Sequence, residues 1–379
     1  MSSATSVEVN APPPPHLTDQ LLGKVAVLKT SPDTVLDDIA RLMRMVGYTD
    51  ALPAAKDTLL KINISWQHFY PACSTTPWQL EGVIKAMLED GYVAQSLIPA
   101  QNRTVVVDAK EGADKNKHTP VVKKYGMDFV WLWEPQVEWI VYEPKAEMKV
   151  LHDVFPKGIE IPKMFIGKNA LHLPTMKTHV FTTTTGAMKN AFGGLLKENR
   201  HWTHSVIHET LGDLLAIQKE IHPGLFAVMD GSTTGKGPGP RAMEPVIQNY
   251  LLASADMVAI DAIAAKMMGF DPMGLKFIRL AHERGLGIGN PSEIEVIGED
   301  VSNVNFGYEV GETLASRGQK AIYHGLLKPL EKPLLRSPIV PWSYTASNVY
   351  YNWFWFTKYG RKRVDEFMKT EWGKLFESY

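Results

Sequence analysis

Apolar residues fall in short runs separated by stretches of helical spacing, and that alternation sets the expected fold class. KVAVLK at 24–29 reads as a first strand. Leu36, Ile39, Ala40 and Met43 recur at helical spacing and predict a helix over 33–46. DTLLKINI at 57–64 predicts a second strand, ending in Lys61 and Asn63. Residues 65–77 read as a loop, and a helix follows from Trp78 to Glu89, closed by Gly91. TVVVD at 104–108 predicts another strand, ending in a carboxylate. Further strands are expected at 127–132, 138–142, 169–173 and 224–229, with helices over 203–220, 256–268 and 273–284. Strands alternating with helices predict an α/β protein with a mainly parallel sheet flanked by helices, in two lobes around a cleft. There is no short-period repeat of the solenoid type.

The ends of the chain differ in texture. Residues 1–22 read as a disordered leader with no basic n-region and no apolar h-region. Residues 23–325 form the α/β region. From 326 to 379 the chain becomes an aromatic-rich extension, broken first by Pro329, Pro333, Pro338 and Pro341. Tyr350, Tyr351, Trp353, Phe354, Trp355, Phe356 and Tyr359 then precede Arg361, Lys362 and Arg363. The favoured reading is a helix packing its aromatics on the main region; the sharper one is a peripheral membrane anchor or an oligomer contact.

Composition narrows the function classes. Of the 379 residues 45% are hydrophobic and 21% charged, ordinary for a globular chain. The formal net charge of −1 gives no global field for nucleic acid, so no nucleic-acid partner is expected. The single cysteine, Cys73, excludes an intrachain disulfide, and no iron–sulfur cluster is expected in this chain, since one needs about four thiolates. No run of 18 apolar residues occurs, so no transmembrane helix is expected and the chain reads as cytoplasmic.

The densest candidate chemistry lies in LHLPTMKTHVFTTTTGAMKN, Leu171 to Asn190. A buried strand there runs straight into Lys177, His179, Lys189 and Asn190, which suits an anionic ligand and proton transfer. A second candidate is Asp230, at the end of the 224–229 strand, with the glycine-rich DGSTTGKGPGPR behind it, Lys236 and Arg241 included. That loop has neither the phosphate-loop nor the dinucleotide order of glycines and reads equally well as a surface turn. A third is the row His201, His204 and His208, spaced to share a helix face and suited to zinc or nickel; satisfied surface histidines are the favoured reading. Arg200 just before them suits a carboxylate or phosphate. The fourth is KINIS with STTP, where Lys61 and Asn63 share one strand face and Thr75 and Thr76 precede a helix start at Pro77. Cys73 nearby has no nucleophile signature around it.

Taken in order, KxN, TTP, LPxxKTH, GxxKNxFG, DG with GxGP, and SxDxVAxDAxAAxxMG resemble the family called domain of unknown function three-six-two. Here they stand at Lys61–Asn63, Thr75–Pro77, Leu173–His179, Gly186–Gly193, Asp230–Gly231 with Gly235–Pro238, and Ser254–Gly269. Many members carry ferredoxin-like cysteine motifs, which this chain lacks, and Ile62 stands where members usually have proline. The spacing of His179 and Lys189 is also similar to that of nickel-pincer lactate racemases. That likeness implies a histidine acid/base and a lysine holding a nucleotide-derived cofactor.

The resulting expectation is an isomerase or oxidoreductase acting on a small anionic substrate by proton or hydride transfer in a basic cleft. His179, Lys189 and Asp230 would be catalytic. Lys61, Asn63, Thr75, Thr76, Lys177, Asn190 and Arg200 would bind the substrate. His204 and His208 would hold a divalent metal, if there is one. The alternatives are a non-catalytic carrier of an anionic ligand and a membrane-surface enzyme on a lipid-linked substrate.

Overall fold

The computed structural model describes residues 16–104, 106–312, 317 and 349–379. The leader up to residue 15, and residues 326–348 of the extension, lie outside the described residues. The chain is a mixed α/β protein built on a ten-stranded, mostly parallel sheet. The strands among the described residues are β1 (Lys24–Lys29), β2 (Thr58–Ile62), β3 (Leu97–Gln101), β4 (Val130–Trp131), β5 (Trp139–Tyr142), β6 (Ile159–Pro162), β7 (Asn169–Leu173), β8 (Thr175–His179), β9 (Thr183–Thr184), β10 (Leu225–Lys236), β11 (Glu244–Ser254) and β12 (Glu295–Gly298). The main path runs β12-β1-β11-β10-β7-β2-β3-β4, with β8 and β9 branching from β10. Along that path only β11 runs against its neighbours. β5 and β6 form a separate antiparallel pair.

Strand residues alternate between two apolar layers. Val25, Val27, Leu59, Ala170, Ala227 and Met229 face one core, covered by the helices Ile207–Ile221 and Met257–Met268. Ala26, Leu28, Leu60, Ile62, Leu171 and Val228 face the other, under Val35–Met45 and Pro77–Glu89. Burial on both faces explains why these strands read as unbroken apolar runs. Helix Pro77–Glu89 begins where its sequence says: Thr76 accepts from the Gln79 N–H, Gln79 reaches back, and proline takes the first turn.

Several expectations shift. The strand expected at 104–108 lies at Leu97–Gln101 instead, and Thr104 and Val107 make only an isolated bridge. Pro99 masks it by sequence, yet β4 pairs only with Ala100 and Gln101, so at Pro99 the strand is still an edge. Asp108, read as a strand-end carboxylate, caps the helix Ala109–Lys115 through the Glu111 N–H. β11 has no counterpart among the expected strands, because Pro245, Gln248 and Asn249, at φ +60°, break its outer half. The leader reading fails for residues 16–21. Leu17–Leu21 forms a 3-10 turn, with His16 Nε2 bonded to His222 O at 2.7 Å and Asp19 paired with Lys219 at 2.9 Å.

The aromatic extension packs on the fold. Trp372 donates to Asn249 Oδ1 at 2.8 Å and lies 5.0 Å from the Trp78 ring. Phe376 stacks on Phe69 at 3.7 Å, and Trp355 meets Trp66 and Tyr70. Arg363 donates to Met243 O at 2.8 Å.

Candidate functional site

β2, β3, β7 and β10 are parallel, so their carboxyl ends share one edge, where ligands of open α/β sheets bind. β10, at 12 residues, outruns β7. After Pro174 the chain keeps alongside it as β8, pairing Thr175 with Asp230 and Lys177 with Gly235. This carries Lys177 and His179 past the strand ends, over the turn from Gly186 to Leu195.

That turn is fixed from behind. Gly186 sits at φ +85°, and a Cβ there would lie 2.2 Å from Asp261 Oδ1. Asp261 accepts the Ala187 and Met188 N–H groups at 2.6 and 3.0 Å. Burial pushes its carboxyl up to about 8 despite those bonds. Asn190 donates to Lys61 O at 2.8 Å, tying the turn to β2. Gly193 and Gly194 let the Lys61 stem pass; a Cβ at Gly194 would stand 2.9 Å from its Cε.

Cations gather here, with the Asp261 carboxylate bonded to backbone behind the turn and Glu198 acting on Arg200. Lys61 donates to Ile62 O and Gln101 Oε1. Lys177 donates to Ser65 Oγ at 3.1 Å and to Cys73 O. Arg200 donates to Lys197 O and Arg103 O at 3.1 and 2.7 Å. Lys189 lies over the Phe192 ring, 5.4 Å from its centroid, and the Arg200 guanidinium is 6.0 Å from the same ring. Among the described residues none of these four side chains has an acidic partner in an ion pair.

Burial and mutual repulsion lower their proton affinities. Burial brings Lys61 to about 7, with Arg200 adding to it. Lys189 falls to about 7 through burial, then Lys177 and Arg200. Lys177 falls to about 8 and Arg200 to about 10, in both cases mainly through burial.

His179 stands beside this group. Its Nδ1 accepts the Phe181 and Thr182 N–H groups at 3.2 and 3.3 Å and lies 3.1 Å from Thr182 Oγ1. A nitrogen that accepts two N–H groups carries no proton, so the ring proton sits on Nε2. Burial, then Lys189 and His204, holds the imidazole pKa well below its usual value, so the ring is neutral.

The other expected residues divide. Asn63 belongs with Lys177: it donates to Cys73 O at 3.1 Å and accepts from Ser65 Oγ at 2.8 Å. Thr75 is committed to the backbone, donating to Leu173 O at 2.7 Å. Thr76 donates to Asp230 at 2.6 Å, and Trp78 Nε1 and the Ser232 N–H complete that carboxylate at 3.1 and 2.7 Å. Asp230 is thus bonded to the start of helix Pro77–Glu89, not to a lysine or histidine; burial raises its pKa.

The histidine row does not share one regular helix. Glu198–Val206 is a 3-10 segment and the α-helix starts at Ile207, so the break falls between His204 and His208. His204 Nδ1 bonds to His201 O at 2.8 Å. Among the described residues no group of three or more His, Cys, Asp or Glu is placed to hold a metal ion, so His204 and His208 do not form a ready metal centre. Phe181, Phe192 and Asp261 were not anticipated. The FG pair after Lys189–Asn190 and the DA pair after Ser254 were the visible traces of Phe192 and Asp261.

A mostly parallel sheet with a basic cluster at its carboxyl edge defines the class, an α/β protein with a candidate anion site. Residues 58–266 match the model of the family described as Domain of unknown function (DUF362), and the chain belongs to that family. The match encloses every candidate residue above. A thylakoid-associated protein of Synechocystis sp. is 29% identical over 130 residues, 33% of this chain. The similar stretch spans 39% of that relative's length. No solved structure matches the chain. No helix among the described residues is long and apolar enough to cross a membrane.

Proposed function

We propose that the chain is an enzyme that moves a proton on a small anionic substrate bound among Lys61, Lys177, Lys189 and Arg200. One observation carries this reading: Lys61, Lys177 and Arg200 are buried, Lys189 is half-buried beside them, and among the described residues none of the four has an acidic ion-pair partner. Unpaired buried charge is costly, so a carboxylate or phosphate supplying the missing charge would be held strongly. Lys189 is the proton acceptor in this reading: at about 7 much of it is free amine near neutral pH, and the substrate's own charge is met by Lys61, Lys177 and Arg200. His179, neutral with its proton on Nε2, donates to an oxygen that gains charge as the proton leaves. Positioned acid/base groups of this kind contribute about 10²–10⁴-fold.

The test is solvent-deuterium incorporation into a panel of small carboxylates and phosphate esters in D₂O, followed by NMR. Exchange at a carbon next to a carbonyl, lost in Lys189→Met and reduced in His179→Ala, is the expected result. Tight anion binding with no exchange on any panel member would favour the carrier reading. Native mass spectrometry of freshly purified protein would separately detect a bound nucleotide-derived group or metal.

A further inference from the structure

We propose that the outer face of residues 349–362 docks on a membrane surface that carries anionic lipid. The helix Val349–Gly360 buries Trp355 and Gly360 against the fold. Its other side leaves Val349 54%, Trp353 77%, Phe354 52% and Tyr359 44% exposed. Elsewhere among the described residues the large exposed apolar side chains are Val93, Val141, Ile166 and Ile247, each apart from the others in sequence. Single exposed apolar residues are ordinary; four within one short helix are not.

The charge next to this face identifies the occupant. Lys358 lies over the Phe354 and Tyr359 rings at 5.4 and 5.3 Å. Exposed Arg361 and Lys362 follow it, and the stretch 349–362 contains no Asp or Glu. The stretch carries Lys358, Arg361 and Lys362 on a chain whose net charge is −1; Lys362 also reaches Glu366 in the next turn at 3.9 Å, which leaves Lys358 and Arg361 as its unpaired cations among the described residues. Exposed Trp and Tyr beside Lys and Arg match a headgroup region, where the rings enter the interface and the cations meet anionic lipid. A second copy fits poorly, because a two-fold contact would set these cations against themselves. This inference does not rest on the proton-transfer reading of the site.

The test floats the full chain with vesicles of phosphatidylcholine alone and of phosphatidylcholine mixed with phosphatidylserine. The parent is expected to float only with the mixed vesicles and to be released by salt. Lys358→Glu, Arg361→Glu and Lys362→Glu should each weaken partitioning by at least about fivefold. The double variant Trp353→Ser/Phe354→Ser should stop floating while melting like the parent. Should that variant melt early, the charge reversals alone decide. Flotation with neither vesicle, or equal flotation with both, overturns the proposal. So does a dimer on gel filtration that the double variant converts to monomer, which assigns the face to a second copy.

Discussion

Lys61, Lys177 and Lys189 dominate the residue scale, and their titration fixes a sign. Their folded values of about 7, about 8 and about 7 lie below the ordinary lysine value of about 10.4. Between those limits the unfolded chain binds more protons than the folded one. The lysines therefore destabilise the fold fully below about pH 7, and that cost fades as pH rises toward about 10.4. A bound anion reverses the effect by favouring the charged amines. Inorganic phosphate is expected to raise the melting temperature most below about pH 7 and least near pH 10, with a smaller rise in Lys189→Met. A phosphate effect that ignores pH, or that Lys189→Met leaves intact, would remove the basis of the anion site. Lys61 was already conspicuous in the sequence, since a cation inside a buried strand has no easy structural use. Its partner Gln101, 40 positions away, was not visible, because nothing local links the two. Asp230 misled for the opposite reason: a strand-end carboxylate before glycines looks like a site, yet its bonds go to Thr76, Trp78 and Ser232.

The turn from Gly186 to Leu195 holds the site together, and two of its glycines separate stability from binding. Alanine at Gly186 meets both the positive φ and Asp261, with backbone strain alone costing about 1–3 kcal/mol. Gly186→Ala should lower the denaturant midpoint clearly and weaken phosphate binding by displacing Lys189. At Gly194 the backbone is ordinary and the near atom belongs to the flexible Lys61 stem. Gly194→Ala should therefore move Lys61 and weaken phosphate binding, with a net stability change within about 1 kcal/mol. Equal losses of stability in both variants would contradict this division. At this scale the sequence was readable wherever pattern and burial agreed, as at Lys24–Lys29 and Pro77–Glu89. It failed where a polar or proline residue sat inside a strand, as at Pro99 and Asn249, because pairing partners excuse what local propensity forbids.

The extension belongs to the molecule's core as much as to its surface. Trp372 is 2% exposed, bonded to Asn249 and packed on Trp78, so Trp372→Ala should cost about 3–5 kcal/mol. Deleting residues 349–379 should lower the melting temperature further and expose apolar surface to a dye such as ANS. An unchanged melting temperature would show that these contacts add nothing. The aromatic density announced burial, but a list of residues could not say which rings face inward; that needed the partners Trp66, Phe69 and Trp78.

The bond between Trp66 and Asn352 also sets an order in time. These residues stand 286 positions apart, and at about 5–20 residues per second the ribosome needs roughly 15–60 s to pass from one to the other. Throughout that interval the loop carrying Trp66, Phe69, Tyr70 and Cys73 has been made, while the helices that cover it have not. Cys73 O accepts from Lys177, so the wall of the proposed anion site is among the last parts of the nascent chain to set. A newly made molecule thus passes through a stage with its sheet formed and its aromatic loop bare. Chaperone demand should concentrate in that stage.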